Sequence, residues 1–181
     1  YGSYSVRKRA KRGTAYEIIC PVQEALSDTE IYVYLASNVV EISSIAGLYC
    51  QFIDLQSARR LRSFTAGAEA DGYTNKNLTS ISVGANTLLE YLDLRGTPEL
   101  KQALDLSALT SLKTLLLTGS GITGVTFALG APVETAKLCP LNSLIARQLS
   151  HLTAFAMDGS NLRTIWVEDA AAIDTYALVS A

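Results

Sequence analysis

The chain repeats one short apolar phrase at a nearly regular interval, and this restricts its fold more than any other feature. LEYLDLRGTPEL (89 to 100), LKTLLLTGSGI (112 to 122) and LTAFAMDGSNL (152 to 162) follow the template L-x-x-L-x-L-x-G-[ST]-x(1-2)-[LI], with Phe155 and Met157 standing in for leucines in the last copy. Looser copies begin at Leu61 (LRSFTAG), Val133 (VETAKLCPL) and Ile173 (IDTYAL), so the starts 61, 89, 112, 133, 152 and 173 lie 28, 23, 21, 19 and 21 residues apart. Self-similarity at that period means that each unit is one turn of chain with too little apolar surface to fold alone. Successive units must stack and share a core. Residues 61 to 181 are therefore expected to form a solenoid.

Most units carry a second apolar phrase: LTSISV (78 to 83), ALDLS (103 to 107), ITGVTF (122 to 127), LNSLIA (141 to 146) and LRTIWV (162 to 167). Alternating isoleucine, valine, threonine and aromatic residues favour extended chain. The expected fold is a flattened, β-rich solenoid with about two short parallel strands in each coil of 19 to 28 residues. L-x-x-L-x-L followed by a small polar residue is similar to the leucine-rich repeat, over residues 61 to 181 and most clearly over 89 to 122. The chain departs from that family in having a second strand where many members have a helix. The family's asparagine after the strand appears here as Asn86, Thr97, Ser120 and Ser160. The resemblance implies that this side chain satisfies backbone groups where the strand turns, and hydroxyls do so more weakly. An irregular leucine-rich repeat is the family reading.

Within LLLTGSGITGVTF (115 to 127), Gly119, Gly121 and Gly124 have the G-x-G-x-x-G spacing of a dinucleotide-binding turn. Such a turn needs a helix after the third glycine and an acidic residue about 20 positions on. VTFALGAPVE supplies β-branched residues, Gly130 and Pro132 instead. Gly119 falls at the template position of Gly96 and Gly159, the turn leaving the first strand, where freedom to take positive φ is useful. No cofactor is expected.

Residues 1 to 12, YGSYSVRKRAKR, hold Arg7, Lys8, Arg9, Lys11 and Arg12 and no acid, so an arm of +5 leaves -7 to the rest of a chain whose net charge is -2. A solvated tail, a contact with nucleic acid and a contact with an acidic face of another subunit are the readings of such an arm. Of the two with a partner, protein is favoured. Only Tyr1 and Tyr4 are available for base stacking, and the acidic remainder repels a polyanion. Residues 13 to 60 read as an N-terminal cap or the first atypical coils, with strands at EIIC and IYVYLA and Ile42, Ile45, Leu48, Ile53 and Leu55 in the core. At the other end the last unit stops in mid-repeat at Ala181, and further chain or another subunit is expected to cover it.

With 49% hydrophobic and 18% charged residues, disorder is excluded as the main content. No apolar run approaches the ~18 residues of a membrane-spanning helix. Cys20, Cys50 and Cys139 are too scattered for a disulfide framework or a metal site and read as buried thiols, while His151, the only histidine, reads as a surface residue. There is no Ser/His/Asp arrangement, and Glu168 and Asp169 point to opposite faces of a strand end. No catalytic or metal-binding residue is expected, and the chain is not read as an enzyme.

Strand alternation sends certain residues outward. On the first face these are Tyr91, Asp93 and Arg95, then Thr114, Leu116 and Thr118, then Thr135, Lys137 and Cys139, then Ala154, Ala156 and Asp158. On the second face the column runs Ser82, Asp105, Thr126, Ile145 and Trp166, with Arg147 and Glu168 beside the last two. An outward Trp166 next to Ile145, flanked by Arg147, Arg163 and Glu168, has the composition of a binding hot spot. A register slip of one residue would put it inside instead. The irregular repeats and the basic, tyrosine-rich leader resemble leucine-rich-repeat proteins of gut bacteria and their tailed phages. That resemblance implies a non-enzymatic structural or protein-interaction role as a tail, baseplate or capsid-associated component, located on the virion. The alternatives are a bacterial cell-surface adhesin and a glycan-binding module, for which Trp166 and Tyr91 are the candidate platforms. The expected partners are protein subunits, reached through the basic arm and the uncapped last coil.

Overall fold

The computed structural model describes residues 39–42, 51–66, 75–159, 161–175 and 178. The basic arm with Arg7, Lys8, Arg9, Lys11 and Arg12, the expected core residues Ile45 and Leu48, and Cys20, Cys50 and Ser160 lie outside the described residues.

Residues 35 to 181 make one compact unit, a parallel β-solenoid of about 5 turns with almost no helix and coils about 21 residues apart. Its strands alternate between two walls. The first wall is one sheet of β1 (Glu41–Ile42), β3 (Ser63–Thr65), β5 (Tyr91–Asp93), β7 (Thr114–Leu116), β9 (Thr135–Lys137) and β11 (Ala154–Ala156), in that order. The second wall holds β2 (Phe52–Asp54) paired with β4 (Ser80–Ser82), and then a separate sheet of β6 (Ala103–Leu106), β8 (Gly124–Phe127), β10 (Ser143–Arg147) and β12 (Thr164–Glu168). Every pairing is parallel. β1 and β2 pair in register with β3 and β4, so residues upstream of Leu61 already belong to the stack.

The first leucine of each phrase closes a corner. Leu112 N–H donates to the Leu109 carbonyl (3.2 Å), Leu152 to Leu149 (3.1 Å), Leu61 to Ala58 (2.9 Å) and Leu89 to Asn86 (2.9 Å), each closing a tight turn before a first-wall strand. Leu100 to Thr97 (3.1 Å), Leu78 to Asn75 (3.3 Å) and Leu162 to Gly159 (2.9 Å) do the same before the second wall. The three-residue step thus carries the chain from the corner into the strand, as from Leu89 to Leu92, and two-residue spacing places the next inward side chain along it. The outcome is a continuous spine. Phe64, Leu92, Leu115, Ala136 and Phe155 stand in register through the first wall, and Leu104, Val125, Leu144 and Ile165 through the second. Leu92, Leu115 and Leu144 are fully buried, and Ile53 and Leu55 join them as expected. A leucine wholly removed from water contributes about 1.5–3 kcal/mol.

Polar groups at the bends are used more variously than the repeat suggests. Asn86 Nδ2 donates to the carbonyls of Leu55, one coil below, and of Val83 in its own coil. Thr97 Oγ1 donates to the Leu94 carbonyl (2.7 Å). The two sit at opposite corners, because Asn86 follows the second-wall strand β4 and Thr97 follows the first-wall strand β5. Asn75 shares the Thr97 corner; it is buried, and its side-chain Oδ1 and Nδ2 have no hydrogen-bond partner among the described residues. Ser120 Oγ donates to Cys139 Sγ (3.3 Å) rather than to backbone.

The three glycines of the apparent nucleotide motif each answer to stacking. Gly119 and Gly96 take φ of 71° and 66° at the same turn of adjacent coils. Gly121 packs directly onto the coil below: its N–H donates to the Thr97 carbonyl (3.0 Å), and an added Cβ would lie 2.2 Å from the Pro98 carbonyl oxygen. Gly124 opens β8, between Ala103 and Ser143. The expected equivalence with Gly159 does not hold. Gly159 is glycine because the Leu178 carbonyl lies 1.9 Å from where its Cβ would be.

That approach reflects how the last unit departs from the repeat. Ile173 N–H closes the usual corner onto Ala170 (3.0 Å), but Thr175 and Leu178 are helical, with Leu178 N–H donating to the Asp174 carbonyl (3.2 Å). Asp and Thr are strong helix-initiating residues, and here they follow the corner directly. The coil start at residue 173 therefore gives helical residues where a strand was expected, and Ile173 and Leu178 are buried.

Along the edge of the first wall, the residue after each corner alternates in charge through Arg62, Glu90, Lys113 and Glu134. Glu90 is bonded by Arg62 from below and by Lys113 Nζ from above (2.9 Å). The Lys113 hydrogen bond, then that of Arg62, holds the Glu90 carboxyl below its ordinary pKa. A lowered carboxylate pKa contributes stability above the unfolded value and loses it as the pH falls through the folded one. The unfolding midpoints of wild type and Glu90→Gln are expected to differ at neutral pH and to converge on acidification below the carboxylate range. For the spine, Leu115→Ala or Leu117→Ala is expected to cost about 2–5 kcal/mol in chemical denaturation. A loss below about 0.5 kcal/mol at both, within the range of ordinary surface changes, contradicts their inward placement.

Candidate functional site

The outer face of the second wall presents the column read from the sequence, in the same register. Asp105 pairs with Thr126, Thr126 with Ile145, and Ile145 with Trp166, while Arg147 pairs with Glu168. Trp166 points outward with 52% of its surface exposed, so the alternative register is not adopted. The reason is local. β12 reads Thr-Ile-Trp-Val-Glu, and the pairing that aligns Ile165 and Val167 with Leu144 and Ala146 on the spine turns Trp166 to solvent.

Four of the expected side chains come together there. The Arg147 guanidinium stacks over the indole, 4.2 Å from the ring centroid, and its Nε donates to Glu168 Oε2 at 2.8 Å. Ile145, half-buried, is the in-register neighbour of Trp166 on β10. A cation over an exposed tryptophan contributes about 0.5–1 kcal/mol. The Glu168 contact fixes the arginine on the ring, so a flat apolar plate with a charged rim exists before any partner arrives. Arg163 is exposed just before β12; its N–H is bonded to the Asn142 carbonyl (2.9 Å).

Two members of the first-face column are not at the surface. Asp93 is 1% exposed, and its carboxylate accepts hydrogen bonds from Arg95 N–H (3.0 Å), Nε and an Nη (2.7 Å), and from the Tyr91 hydroxyl (3.3 Å). A buried carboxylate needs such partners. Burial, and then the adjacent Asp93 charge, pushes the Tyr91 phenol above its ordinary pKa. Cys139 is also buried, as its reading as a buried thiol expects and against the outward position that alternation gives it. Its thiol donates to the Ile122 carbonyl (3.2 Å) while accepting from Ser120, and burial raises its pKa. Pro140 and Leu141 follow it, so Cys139 begins a corner and does not continue the strand alternation that sends its neighbours outward.

Sequence reading missed a recurrent role for aspartate. In Asp-Leu-Gln (54 to 56), Asp-Leu-Arg (93 to 95) and Asp-Leu-Ser (105 to 107), Oδ1 accepts the N–H two residues on, at 2.9, 3.0 and 3.0 Å. The thrice-repeated Asp-Leu pair at a strand end is the signal that would have found it. At Asp105 the Ser107 hydroxyl, then its N–H, lowers the carboxyl pKa.

It also missed the break in this wall. Between β4 and β6 the ladder is replaced by one side chain: Gln102 Oε1 accepts the Ile81 N–H (3.1 Å), and its Nε2 donates to the Ile81 carbonyl (2.8 Å). A groove of about 370 Å3, lined in part by Ser82, Gly84, Asp105 and Ser107, follows the break. Gln56 Nε2 is bonded to Ser82 Oγ (2.7 Å) beside it.

His151 is exposed. Among the described residues no group of three or more His, Cys, Asp or Glu is placed to hold a metal ion, and no helix is long and apolar enough to cross a membrane. The chain matches no family model, no curated protein and no solved structure.

Gln102→Leu keeps the volume but strips both backbone groups of Ile81 of their partner. Leaving buried groups unsatisfied costs about 1–3 kcal/mol, which denaturant titration should read, whereas Ser107→Ala nearby should cost far less. Equal stability of Gln102→Leu and wild type shows that the amide does not bridge the wall.

Proposed function

We propose that the chain is a non-enzymatic protein-interaction module, an irregular member of the leucine-rich-repeat class, that holds its partner through the exposed end of the second wall. The observation that carries this reading is the Trp166 plate, half-exposed, capped by Arg147 and fixed by Glu168 on a strand whose other face is packed in the core. Tryptophan and arginine dominate the energetics of protein interfaces, and a pre-ordered anchor loses little conformational freedom on binding. A structural role also agrees with the aspartates. Asp54, Asp93 and Asp105 each accept a backbone N–H at a strand end, which is an architectural task.

The glycan-binding alternative draws less support, because Arg147 occupies one face of the indole and Tyr91 is half-buried against Asp93. For the assembly served, the resemblance of the repeats supports a phage virion, with a bacterial cell surface as the alternative. Probing purified particles and cell envelopes with an antibody to this chain separates the two.

The interaction surface is tested by adding labelled chain to particles or envelopes stripped of their own copy. Trp166→Ala is expected to weaken rebinding at least tenfold, in keeping with a hot-spot residue, with its unfolding midpoint unchanged. Equal rebinding by wild type, Trp166→Ala and Arg147→Ala ends the proposal.

A further inference from the structure

We infer that β12 pairs antiparallel with the β12 of a second copy of this chain, forming a two-fold dimer centred on Trp166. The inference rests on the reading of the Trp166 surface as an interaction site and names its partner.

The outer edge of β12 is unpaired among the described residues: the strand ends its sheet, with β10 on its other side. Its inward side chains show the same lack. Leu144 and Ala146 on β10 are fully buried, whereas Ile165 and Val167, one layer on, are only half-buried. Protected edge strands carry a proline, a lysine, a bulge or an inward-pointing charge. The five residues of β12, Thr-Ile-Trp-Val-Glu, carry none of these, and all five pair with β10 in unbroken register.

Charge selects both the occupant and its direction. Residues 163 to 169 read Arg-Thr-Ile-Trp-Val-Glu-Asp. Laid antiparallel on itself about Trp166, β12 sets Thr164 against Glu168 of the second copy and Ile165 against its Val167, and it brings Arg163, just before the strand, towards Asp169, where the chain turns off with φ of 49°. Laid parallel and in register, the same stretch sets Arg163 against Arg163, Glu168 against Glu168 and Asp169 against Asp169. Like charges directly opposite one another are destabilising and opposite charges are favourable, so only the antiparallel arrangement is self-complementary. Arg163 and Asp169 are both exposed, and neither has an ion pair among the described residues, unlike Arg147 and Glu168, which hold each other.

The resulting contact is isologous, the commonest way for identical chains to close an assembly. The outer edge of the strand gains a ladder, Ile165 and Val167 gain a matching layer, and the two indoles meet near the axis. A foreign strand would need a basic residue, an apolar centre and an acidic residue in the same order. The second copy has them by construction.

The test uses the full chain in sedimentation velocity and light scattering across a concentration series, with circular dichroism to confirm folding. Wild type is expected to be a dimer, and Arg163→Glu or Asp169→Lys to raise its dissociation constant at least tenfold. The double variant Arg163→Glu/Asp169→Lys restores opposite charges across the axis and is expected to recover the dimer. A chain monomeric throughout the series, a dimer indifferent to both single changes, or a double variant no tighter than the singles overturns the inference. Rebinding to stripped particles separates this failure from that of the broader reading. A monomer whose Trp166→Ala variant still loses rebinding keeps the interaction surface and removes the second copy from it.

Discussion

The backbone of each coil is hydrogen-bonded by the coil next to it, and everything else in this molecule is placed by that dependence. A two- or three-residue strand is far too short to persist alone, since isolated strand pairs are marginal in water. Here β5 exists because Tyr91 is aligned with Ser63 on one side and Thr114 on the other. The corners make this alignment repeatable. Each i to i+3 turn resets the chain before the next strand, so coils of 28 and of 19 residues deliver their inward residues to the same spine. Insertions are taken up at the bends. The charge alternation of Arg62, Glu90, Lys113 and Glu134 then favours nearest-neighbour stacking over any arrangement that skips a coil.

The architecture was legible because burial in a solenoid is written at fixed spacings. Three apart leads from a corner into a strand and two apart marks the strand, and leucine fills both. The same logic made Trp166 readable. Once Leu144 and Ile165 are assigned to the spine, strand alternation sends Ile145 and Trp166 outward. Composition supplied the plate's arginine, but its stacking on the ring and the bond to Glu168 depend on side-chain reach across two coils, which spacing does not encode.

What sequence reading missed has a common physical origin. Asp93, Cys139 and Gln102 occupy positions whose direction is fixed by strand geometry or by a corner, but whose partners come from neighbouring side chains. Alternation correctly turned Asp93 away from the spine, yet Arg95 and Tyr91 close over it. Cys139 was assigned by extending a strand one residue too far into a corner. Gln102 stands one position before a strand, where Thr123 and Asn142 in later coils serve the ladder through their backbone carbonyls. Its own carbonyl does this for Thr123, while its side chain serves Ile81. The last unit was misjudged for a simpler reason. IDTYAL matches the template in its apolar positions, and the pattern gives no weight to Asp174 and Thr175, which favour a helix start.

The amide joint at Gln102 makes the two walls mechanically unequal. The first wall is one uninterrupted sheet from β1 to β11, whereas the second is joined at one level by a side chain with several rotatable bonds. A backbone ladder resists shear along its whole length, and a single amide resists it at one point. The level between β4 and β6 is therefore the least reinforced of the second wall, while the first wall keeps its ladder there. The Trp166 plate lies well beyond that joint, so the weakly tied level of the wall and the exposed indole are kept apart along the same molecule.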